Sequence, residues 1–371
     1  MKKEHPKNVR IVRKYLQWLE TAKGMSPDTV DQVAAAISAF EKSTGGKDFA
    51  AFHIEQVHKF QRDLKAAKHQ KTGKPLAKAT IRTRLMAVKA FCKWLADQQG
   101  YKSRISHSDC EYFNVTANDA RIATAHRERP VPSLEQVHHV IAAAPHDTPI
   151  QKRDRALIAF TLLTGMRDAA IASLPLGKMN LERREVFQDA RVVNTKNAKT
   201  MTTYFFPVGG DAETVVADWV SFLRHEQLFA DTDPLFPKTE TGVNAEGVFA
   251  ATGLSREYWS NADAIRRVFR ERFEAVGLPY FNPHSLRKTL LQLAYRLKLD
   301  SEAFKAWSQN LGHENEATSF SAYGKVQDRR TAEILASLAA TKDGGTDSNA
   351  ASPDVQAALA VLAKHLGHPQ G

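Results

Sequence analysis

Four amphipathic helical patterns follow one another in the first hundred residues, and they constrain the fold of this chain more than any other feature. Glycine and proline residues separate the patterns, and such residues commonly end or begin helices. The helices are predicted at residues 8–20, from Ser26-Pro27-Asp28 to the break at Gly45-Gly46, at residues 54–67 and at residues 78–98. Each has one apolar stripe, so together they predict a small helical domain with a shared core.

The fourth helix has the clearest pattern. Its apolar residues recur at alternating spacings of four and three, at Ile81, Leu85, Val88, Cys92 and Leu95. This spacing places all of them on one face of a helix. The other face is basic and adjoins a basic turn at residues 68–75. A solvated surface is the ordinary interpretation of such a face, but the helix and the turn together are suited to follow a phosphate backbone.

The length of the chain indicates more than one domain, because 371 residues exceed what one hydrophobic core usually organises. Residues 99–130 are polar and irregular, and helical patterns start again at Leu134. We predict a helical domain over residues 1–115, a linker over 116–130 and a second domain over 131–341. The remainder, 342–371, is predicted as a flexible tether followed by a short amphipathic helix at 354–366.

The second domain combines helices with short β-rich segments. Helices are predicted at residues 134–144, 156–163, 211–229, 265–276, 282–297, 301–310 and 327–340. Strands are predicted at residues 186–187, 192–193 and 202–206, with a turn at Asn197-Ala198, and residues 231–260 are predicted as loop. The predicted fold is therefore mainly α with a small β-sheet, in the α+β class.

Positive charge is concentrated at one end of the chain. The net charge is +11, and residues 1–100 hold 20 lysine and arginine residues against 9 acidic residues, while the other 271 residues hold 32 of each. A basic block beside a neutral one indicates that a polyanion contacts the first domain, and nucleic acid is the favoured polyanion. A lysine-rich surface that only aids solubility is the alternative.

Several classes of protein are disfavoured by the sequence. There is no run of 18 apolar residues, as a membrane-spanning helix would need, and the N-terminus has no apolar segment typical of a secretory signal. The two cysteines, Cys92 and Cys110, do not have metal-ligand spacing. We therefore expect a reducing, cytoplasmic setting, no bound metal and no membrane partner.

A candidate anion site lies at Asn282-Pro283-His284-Ser285-Leu286-Arg287. Asn282 is a good helix cap, and Pro283 suits the first turn of a helix. His284 and Arg287 are three residues apart and share a helix face. A helix N-terminus that carries two such side chains is suited to bind phosphate, because backbone N–H groups and cations point the same way.

Four other short motifs surround this one. They are Thr164-Gly165-Met166-Arg167, Asn194-Thr195-Lys196-Asn197-Ala198-Lys199, Asn310-Leu311-Gly312-His313 and Ser321-Ala322-Tyr323-Gly324. With the candidate anion site they give, in order, arginine, lysine, His-x-x-Arg, histidine and tyrosine. This order and context resemble the tyrosine recombinase (phage integrase) family, and the resemblance covers residues 8–340. It implies a four-helix SAM-like DNA-binding domain followed by a tyrosine-recombinase catalytic domain.

The resemblance also implies a reaction and roles for individual residues. A site-specific DNA recombinase cuts and rejoins strands through a 3′-phosphotyrosyl intermediate, with neither metal nor ATP and no other cofactor. Tyr323 is then the nucleophile, and Arg167 and Arg287 hold the scissile phosphate. Lys196 is the general acid, with Lys199 as the second choice. His284 and His313 contact the phosphate and help to move protons.

Two positions depart from the family's usual pattern. The family often has an acidic residue three positions after the first arginine, and this chain has Ala170 there. Asp168 is the candidate substitute. Tyr323 follows His313 by ten residues, where the family usually has nine. Tyr280 and Tyr295 are interpreted as packing residues, which leaves Tyr323 as the candidate nucleophile.

The expected partner is double-stranded DNA with short inverted core sites, bound by a homo-oligomer, a tetramer on two sites. The residues predicted to contact DNA are Lys65, Lys68, Lys71, Lys74, Lys78, Arg82, Arg84 and Lys89. The terminal helix is expected either to fold back on its own domain or, as we slightly prefer, to dock on a neighbouring protomer. A bacterial protein associated with the nucleoid is expected.

Three other functions remain open at this point. A DNA-relaxing topoisomerase of type IB would use the same chemistry as a monomer. A decayed recombinase would only bind DNA, and Ala170 and the spacing before Tyr323 are its support. A helical regulator using only the basic domain would leave the ordered motifs unexplained.

Overall fold

The computed structural model describes residues 5–69, 72–125, 130–243 and 247–313. They belong to two compact units, which divide between Arg127 and Glu128. Lys71, Tyr323, the predicted helix at 327–340 and the predicted terminal helix lie outside the described residues.

The first unit is helical. Its helices are α1 (Pro6–Thr21), α2 (Pro27–Ser43), α3 (Ile54–Ala66), α4 (Lys78–Ala96) and α5 (Ala117–Thr124), with 3-10 turns at Phe49–Ala51 and Asp109–Phe113. The five residues of the predicted α4 stripe are all buried. They join a core whose centre is aromatic, with Phe40 in edge-on contact with Phe60 and Phe113. The predicted four-helix domain is confirmed.

Helix α5 corrects the prediction that residues 99–130 are irregular throughout. Thr116 caps it, because its hydroxyl accepts a hydrogen bond from the backbone N–H of Asp119 at 3.1 Å. The helix has no buried residue. It therefore lacks the apolar periodicity by which a helix is detected in a sequence.

The second unit packs helices around one central helix, and it carries two small sheets. The helices are α6 (Leu134–Ala143), α7 (Pro149–Thr164), α8 (Asp168–Ala172), α9 (Ala212–Ser221), α10 (Asp263–Ala275), α11 (Ser285–Arg296) and α12 (Ser301–Asn310). Every residue of α7 from Ala156 to Thr164 is buried, as its apolar composition predicts. The helix predicted at 211–229 is shorter, since α9 ends at Ser221 and a π-helical turn continues to Glu226.

The first sheet is antiparallel with the order β1-β2-β3, formed by β1 (Met179–Asn180), β2 (Glu185–Gln188) and β3 (Met201–Tyr204). Gln188 pairs with Met201, so the segment between them is the β2–β3 loop, residues 189–200. This confirms the predicted hairpin. The strand predicted at Val192-Val193 is wrong, because both backbone N–H groups donate to the carbonyl of Asp189 and form a turn.

A second hairpin corrects the prediction that residues 231–260 are loop. Strands β4 (Thr239–Val243) and β5 (Phe249–Leu254) pair in an antiparallel arrangement. No residue of either strand is buried, so the strands show no alternation of buried and exposed side chains. Alternation is the signal by which a strand is recognised, and the glycines in this segment favour a loop instead. The fold as a whole is mainly helical with small sheets, as predicted.

Candidate active site

Helix α11 carries the centre of the predicted site. It begins at Ser285, two residues later than Pro283, where the sequence placed its first turn. The side chain of Asn282 still caps the segment, since its Oδ1 accepts a hydrogen bond from the N–H of Ser285 at 3.0 Å. The fifth residue of the helix, Thr289, anchors it to the segment before α6, because its hydroxyl donates to the carbonyl of Pro132 at 2.7 Å. This start places His284 at the helix entrance and Arg287 in its first turn.

Arg287 is almost completely buried, with 4% of its surface exposed, and its guanidinium joins two distant segments. Nη1 donates to the carbonyl of Gly165 at 2.5 Å, and Nη2 donates to the carbonyl of Leu311. Nη2 also lies 3.0 Å from Nε2 of His313. The Nε atom is buried and has no hydrogen-bond partner among the described residues. A buried donor without a partner is costly, so this N–H is suited to meet an anion in the site.

Gly165 presents its carbonyl to Arg287 because it ends helix α7 in the left-handed conformation, with φ at +57°. A Cβ atom there would lie 2.7 Å from Cδ2 of Leu311 and 2.9 Å from Cδ1 of Leu290. Only glycine fits this position without strain and without a clash. The predicted Thr-Gly-x-Arg motif therefore has a structural basis at its glycine.

Arg167 follows two residues later, where it precedes helix α8. Its guanidinium is partly buried and makes no hydrogen bond or ion pair with a described residue. Burial lowers the pKa of Arg167. Burial and the nearby charge of Arg167 lower the pKa of Arg287 to about 9, which leaves both groups charged at neutral pH. Two desolvated cations that repel each other form a site that an anion stabilises.

His313 is held neutral by its surroundings. Burial and the charges of Arg287 and Arg167 lower the pKa of His313 to about 4. Because an arginine can only donate, Nε2 of His313 accepts the hydrogen bond from Arg287, and the ring proton is then on Nδ1. His284 lies on the exposed surface beside the same arginines, and partial desolvation together with the charges of Arg287 and Arg167 lowers its pKa. Both imidazoles are thus uncharged at neutral pH.

The two candidate lysines line a cleft of about 240 Å³. Its lining includes Arg167, Lys196, Lys199, Gly312 and His313. The β2–β3 loop brings the lysines there through a tight turn in which Asn197 and Ala198 both have positive φ. Asn197 is a residue type that tolerates this conformation. The structure therefore brings Arg167, both lysines and His313 together in one cleft, and Arg287 is bonded to His313. His284 is not part of the lining.

The structure places Ala170, where the family often has an acidic residue, and Asp168, its candidate substitute. Ala170 is buried and lines the cleft, so a carboxylate at this position would face the site. Asp168 does not bond to Arg167. Its Oδ2 accepts a hydrogen bond from Nε of Arg266 on helix α10 at 2.9 Å. Its negative charge acts on His284 instead, whose pKa it raises against the effect of the arginines.

Two residues of the cleft lining were missed in the sequence. Gln188 is buried at the end of β2, and its Nε2 donates to Oγ1 of Thr203 at 2.6 Å. The hydroxyl of Thr195 is buried and has no hydrogen-bond partner among the described residues. Thr195 stands beside Lys196 in its motif, but nothing in the sequence assigns it a role. Gln188 belongs to no recognisable motif, and only the register between β2 and β3 brings it to the cleft.

The tyrosines interpreted as packing residues do pack in the core. Tyr295 and Tyr280 are partly buried against the core of this unit, and Tyr295 contacts Phe304 with ring centroids 5.1 Å apart. Tyr280 lies under the guanidinium of Arg270, at 4.5 Å. Both rings thus make packing contacts, as their interpretation from sequence predicts.

The basic surface of the first unit is partly neutralised by nearby acids. Lys65, Lys68, Lys74, Lys78 and Arg82 are exposed, while Arg84 and Lys89 are half-buried. Lys78 forms an ion pair with Asp119 at 2.6 Å, and Lys89 forms one with Glu111 at 2.6 Å. The hydrogen bonds from Lys89 and Lys93 hold the pKa of Glu111 low, at about 2. Arg82 has no such partner among the described residues.

In the described part of the chain, no helix is both long enough and apolar enough to cross a membrane.

The chain thus consists of a basic helical unit and a second unit whose cleft is lined by arginine, histidine and lysine side chains. Residues 133–330 match the family model described as "Phage integrase family", and residues 12–99 match "Phage integrase, N-terminal SAM-like domain". The chain belongs to the phage integrase family, whose members include the tyrosine recombinases.

Curated relatives of this chain include two bacterial recombinases. The tyrosine recombinase XerC of Natranaerobius thermophilus is 24% identical over 329 residues, which are 86% of this chain and 95% of the relative. The tyrosine recombinase XerD of Neisseria meningitidis serogroup B is 26% identical over 193 residues, which are 50% of this chain and 56% of the relative.

Solved structures with a similar fold include the integrase of transposon Tn1549 in complex with transposon right-end DNA. It has a TM-score of 0.58 at 13% identity and covers 89% of this chain and 99% of that chain. A lambda integrase dimer bound to a core site also has a TM-score of 0.58, at 12% identity, and covers 86% of this chain and 97% of that chain. At these identities the likeness concerns the fold.

Proposed function

We propose that this protein is a site-specific DNA recombinase that cuts and rejoins DNA strands through a phosphotyrosyl intermediate. The observation that carries the proposal is one cleft lined by Arg167, Lys196, Lys199 and His313, with Arg287 bonded to His313 at 3.0 Å. Family membership and the recombinase relatives support this function over a relaxing topoisomerase or a protein that only binds DNA.

The two arginines would hold the scissile phosphate. Arg167 has its full set of donors available, and Arg287 has its buried Nε–H. During attack, negative charge builds on the non-bridging oxygens of the phosphorus, and fixed cations stabilise that charge without reorganisation. A guanidinium also presents two parallel donors, which match two oxygens of one phosphate.

Tyr323 would be the nucleophile. Its phenolic oxygen passes its proton to a neutral histidine of the site and attacks the phosphorus, and the bond from phosphorus to the 5′ oxygen breaks. The DNA is then joined to the protein by a 3′-phosphotyrosyl bond. A 5′ hydroxyl of the partner strand reverses the step and releases the tyrosine, so rejoining needs no other source of energy.

A lysine of the β2–β3 loop would protonate the leaving 5′ oxygen. An alkoxide is a poor leaving group, and a positioned general acid removes that barrier. Lys196 is our first choice and Lys199 the second, since both line the same cleft as His313. Neutral His313, which is bonded to Arg287 through Nε2, would contact the phosphate that the arginines hold. His284 would add a second neutral contact.

The first unit would contact double-stranded DNA through its basic surface. We further propose short inverted core sites and a tetramer assembled on two such sites, with a cytoplasmic location where chromosomal DNA is accessible. The DNA-bound solved structures of this fold support the choice of partner.

Covalent trapping tests the proposed reaction. The protein is incubated with a nicked duplex that contains its core site, so that the cleaved strand diffuses away and the covalent complex accumulates. A DNA-linked band on a denaturing gel, mapped to Tyr323 by mass spectrometry and lost in Tyr323→Phe, is the expected result. Tyr295→Phe is the matched control and should keep the band. A band that persists in Tyr323→Phe would assign the nucleophile to another residue, and tight binding without a band would favour a protein that only binds DNA.

The ion pairs of the first unit predict which basic residues matter for binding. Arg82 and Lys78 lie one helical turn apart on α4, but only Lys78 is neutralised by an acid. Arg82→Ala should therefore weaken DNA binding and lower the slope of log affinity against log salt by about 1, as the loss of one phosphate contact does. Lys78→Ala is the control and should change the slope less. Fluorescence anisotropy at several salt concentrations measures both, and equal slopes for Arg82→Ala and wild type would contradict the prediction.

A further inference from the structure

Asn310, the last residue of helix α12, bonds to the outer edge of the first sheet. Its Oδ1 accepts a hydrogen bond from the backbone N–H of Tyr204 at 2.7 Å, and its Nδ2 donates to the carbonyl of the same residue at 2.8 Å. β3 is the last strand of that sheet, and no strand of the described residues lies along its outer edge. The side-chain amide thus replaces the two hydrogen bonds that a further strand would form.

Two other contacts fix the end of α12 along the same strand. Gly312 lies against Met201, because a Cβ at position 312 would be 3.0 Å from the Met201 sulfur. The same Cβ would be 3.6 Å from Nη1 of Arg167. The ring of Trp307 packs on Phe206, just beyond β3, with centroids 4.7 Å apart. The end of α12 therefore follows β3 from its first residue to beyond its last.

The segment after Asn310 carries the other half of the site. The carbonyl of Leu311 and the ring of His313 both accept hydrogen bonds from Arg287. The β2–β3 loop with Lys196 and Lys199 ends directly before Met201, the first residue of β3. Asn310 thus connects two parts of the site. Its side chain is hydrogen-bonded to β3, the strand that follows the lysine loop, and its backbone leads directly into the segment that contacts Arg287.

We propose that Asn310 is a positioning residue that sets the lysines of the β2–β3 loop against the scissile phosphate. The inference rests on the proposed function, since it assigns Asn310 to the protonation of the leaving group. Loss of the amide removes both bonds to β3, while the bonds of Arg287 to Gly165 and Leu311 use backbone carbonyls and remain. A variant that lacks the amide should therefore still hold Arg287 in place to bind the phosphate. It should no longer hold the general acid in line with the leaving oxygen.

The test compares two DNA substrates. One has the natural phosphodiester, and the other has sulfur in place of the bridging 5′ oxygen at the cleavage position. A thiol has a pKa of about 8.5, far below that of an alcohol, so the sulfur leaves without a proton. Asn310→Ala should form the covalent complex roughly 10-fold to 100-fold more slowly than wild type on the natural substrate. This is at or below the lower end of the roughly 10²–10⁴-fold that general acid catalysis contributes, because the lysine is misaligned rather than removed. On the sulfur substrate its rate should approach that of wild type.

Four variants serve as references in the same assay. Lys196→Ala and Lys199→Ala identify the general acid, because the variant that lacks it shows the same rescue by sulfur. Arg167→Ala removes a phosphate contact and should stay slow on both substrates. Asn310→Asp keeps the acceptor for the N–H of Tyr204 but sets an oxygen against its carbonyl, so it should resemble Asn310→Ala. The ratio of the two rates is independent of the fraction of folded protein, so partial misfolding cannot imitate rescue.

The outcomes separate this inference from the proposed function. Equal rates for Asn310→Ala and wild type on the natural substrate would overturn the inference, as would a defect of the same size on both substrates. Either result would leave the proposed function intact if wild type still forms the complex through Tyr323. A wild-type protein that forms no covalent complex on either substrate would overturn the proposed function and this inference with it.

Discussion

Arg287→Met is expected to slow strand cleavage and also to destabilise the second unit, whereas Arg167→Met should slow cleavage alone. Arg287 donates to two backbone carbonyls from a buried position, and its removal leaves both without that donor. An unsatisfied buried polar group costs about 1–3 kcal/mol, so we expect a loss of about 3 kcal/mol in the free energy of unfolding. The guanidinium of Arg167 bonds to no described residue, so its loss should change stability by less than about 1 kcal/mol.

Both variants should slow formation of the covalent complex by roughly 10²–10³-fold, as the loss of one preorganised donor to a developing charge does. Single-turnover cleavage of the nicked duplex measures this rate. Hydrogen exchange of peptides from α7 and α11 measures the stability of the second unit separately from the first. Arg287→Lys is the matched control for charge, and it should recover little of either property, because an ammonium group cannot reproduce the planar fork of donors. Equal destabilisation by Arg167→Met and Arg287→Met would contradict the different roles assigned to the two arginines.

Much of this fold was predictable because its signals are local. The α4 stripe needs only a period of 3.6 residues, and all five of its members are buried. Helix α7 was recognised from its apolar composition alone. The hairpin that holds Lys196 was recognised from β-branched and aromatic residues on both sides of a turn. In each case the neighbours in sequence determine the structure.

The misses have a common physical cause, which is the absence of burial. Helix α5 and the β4–β5 hairpin have no buried residues, so hydrophobic periodicity could not mark them. At Val192 and Val193 the error is the opposite one, because the sequence predicts a strand where the structure has a turn. Their β-branched side chains favour a strand, but their N–H groups bond to the carbonyl of Asp189 and form a turn.

For the site, the sequence indicated which residues to consider but not how they bond. Family resemblance placed Arg287 and Gly165 in the same motif set, yet the bond between them spans 122 positions. Asn310 belongs to a recognised motif, but nothing in the sequence indicates that its side chain pairs with Tyr204, 106 positions away. Asp168 was considered as a partner of Arg167, and its bond to Arg266 could not be foreseen because helix packing alone brings α10 to α8. Contacts of this kind depend on tertiary packing rather than on local pattern.

Gly165→Ala should cause the second large effect, a loss of about 3 kcal/mol in the free energy of unfolding of the second unit. The left-handed conformation costs a residue with a Cβ roughly 1–2 kcal/mol, and overpacking of a tight core adds typically 1–3 kcal/mol. The Cβ would meet Leu311 at 2.7 Å and Leu290 at 2.9 Å. Both leucines are buried, with 2% and 0% of their surface exposed, so neither side chain can swing away. Hydrogen exchange of α7 and α11 peptides is the measurement.

Gly277→Ala separates the two causes. Gly277 also has a positive φ, at +74°, but a Cβ there would meet nothing within 4 Å. It should therefore lose only the roughly 1–2 kcal/mol of backbone strain. The carbonyl of Gly165 accepts the hydrogen bond from Arg287, so Gly165→Ala should also slow covalent complex formation, while Gly277→Ala should not. Equal stability losses in the two variants would mean that the leucines move aside, and an unchanged cleavage rate in Gly165→Ala would mean that this carbonyl does not hold Arg287 in its active position.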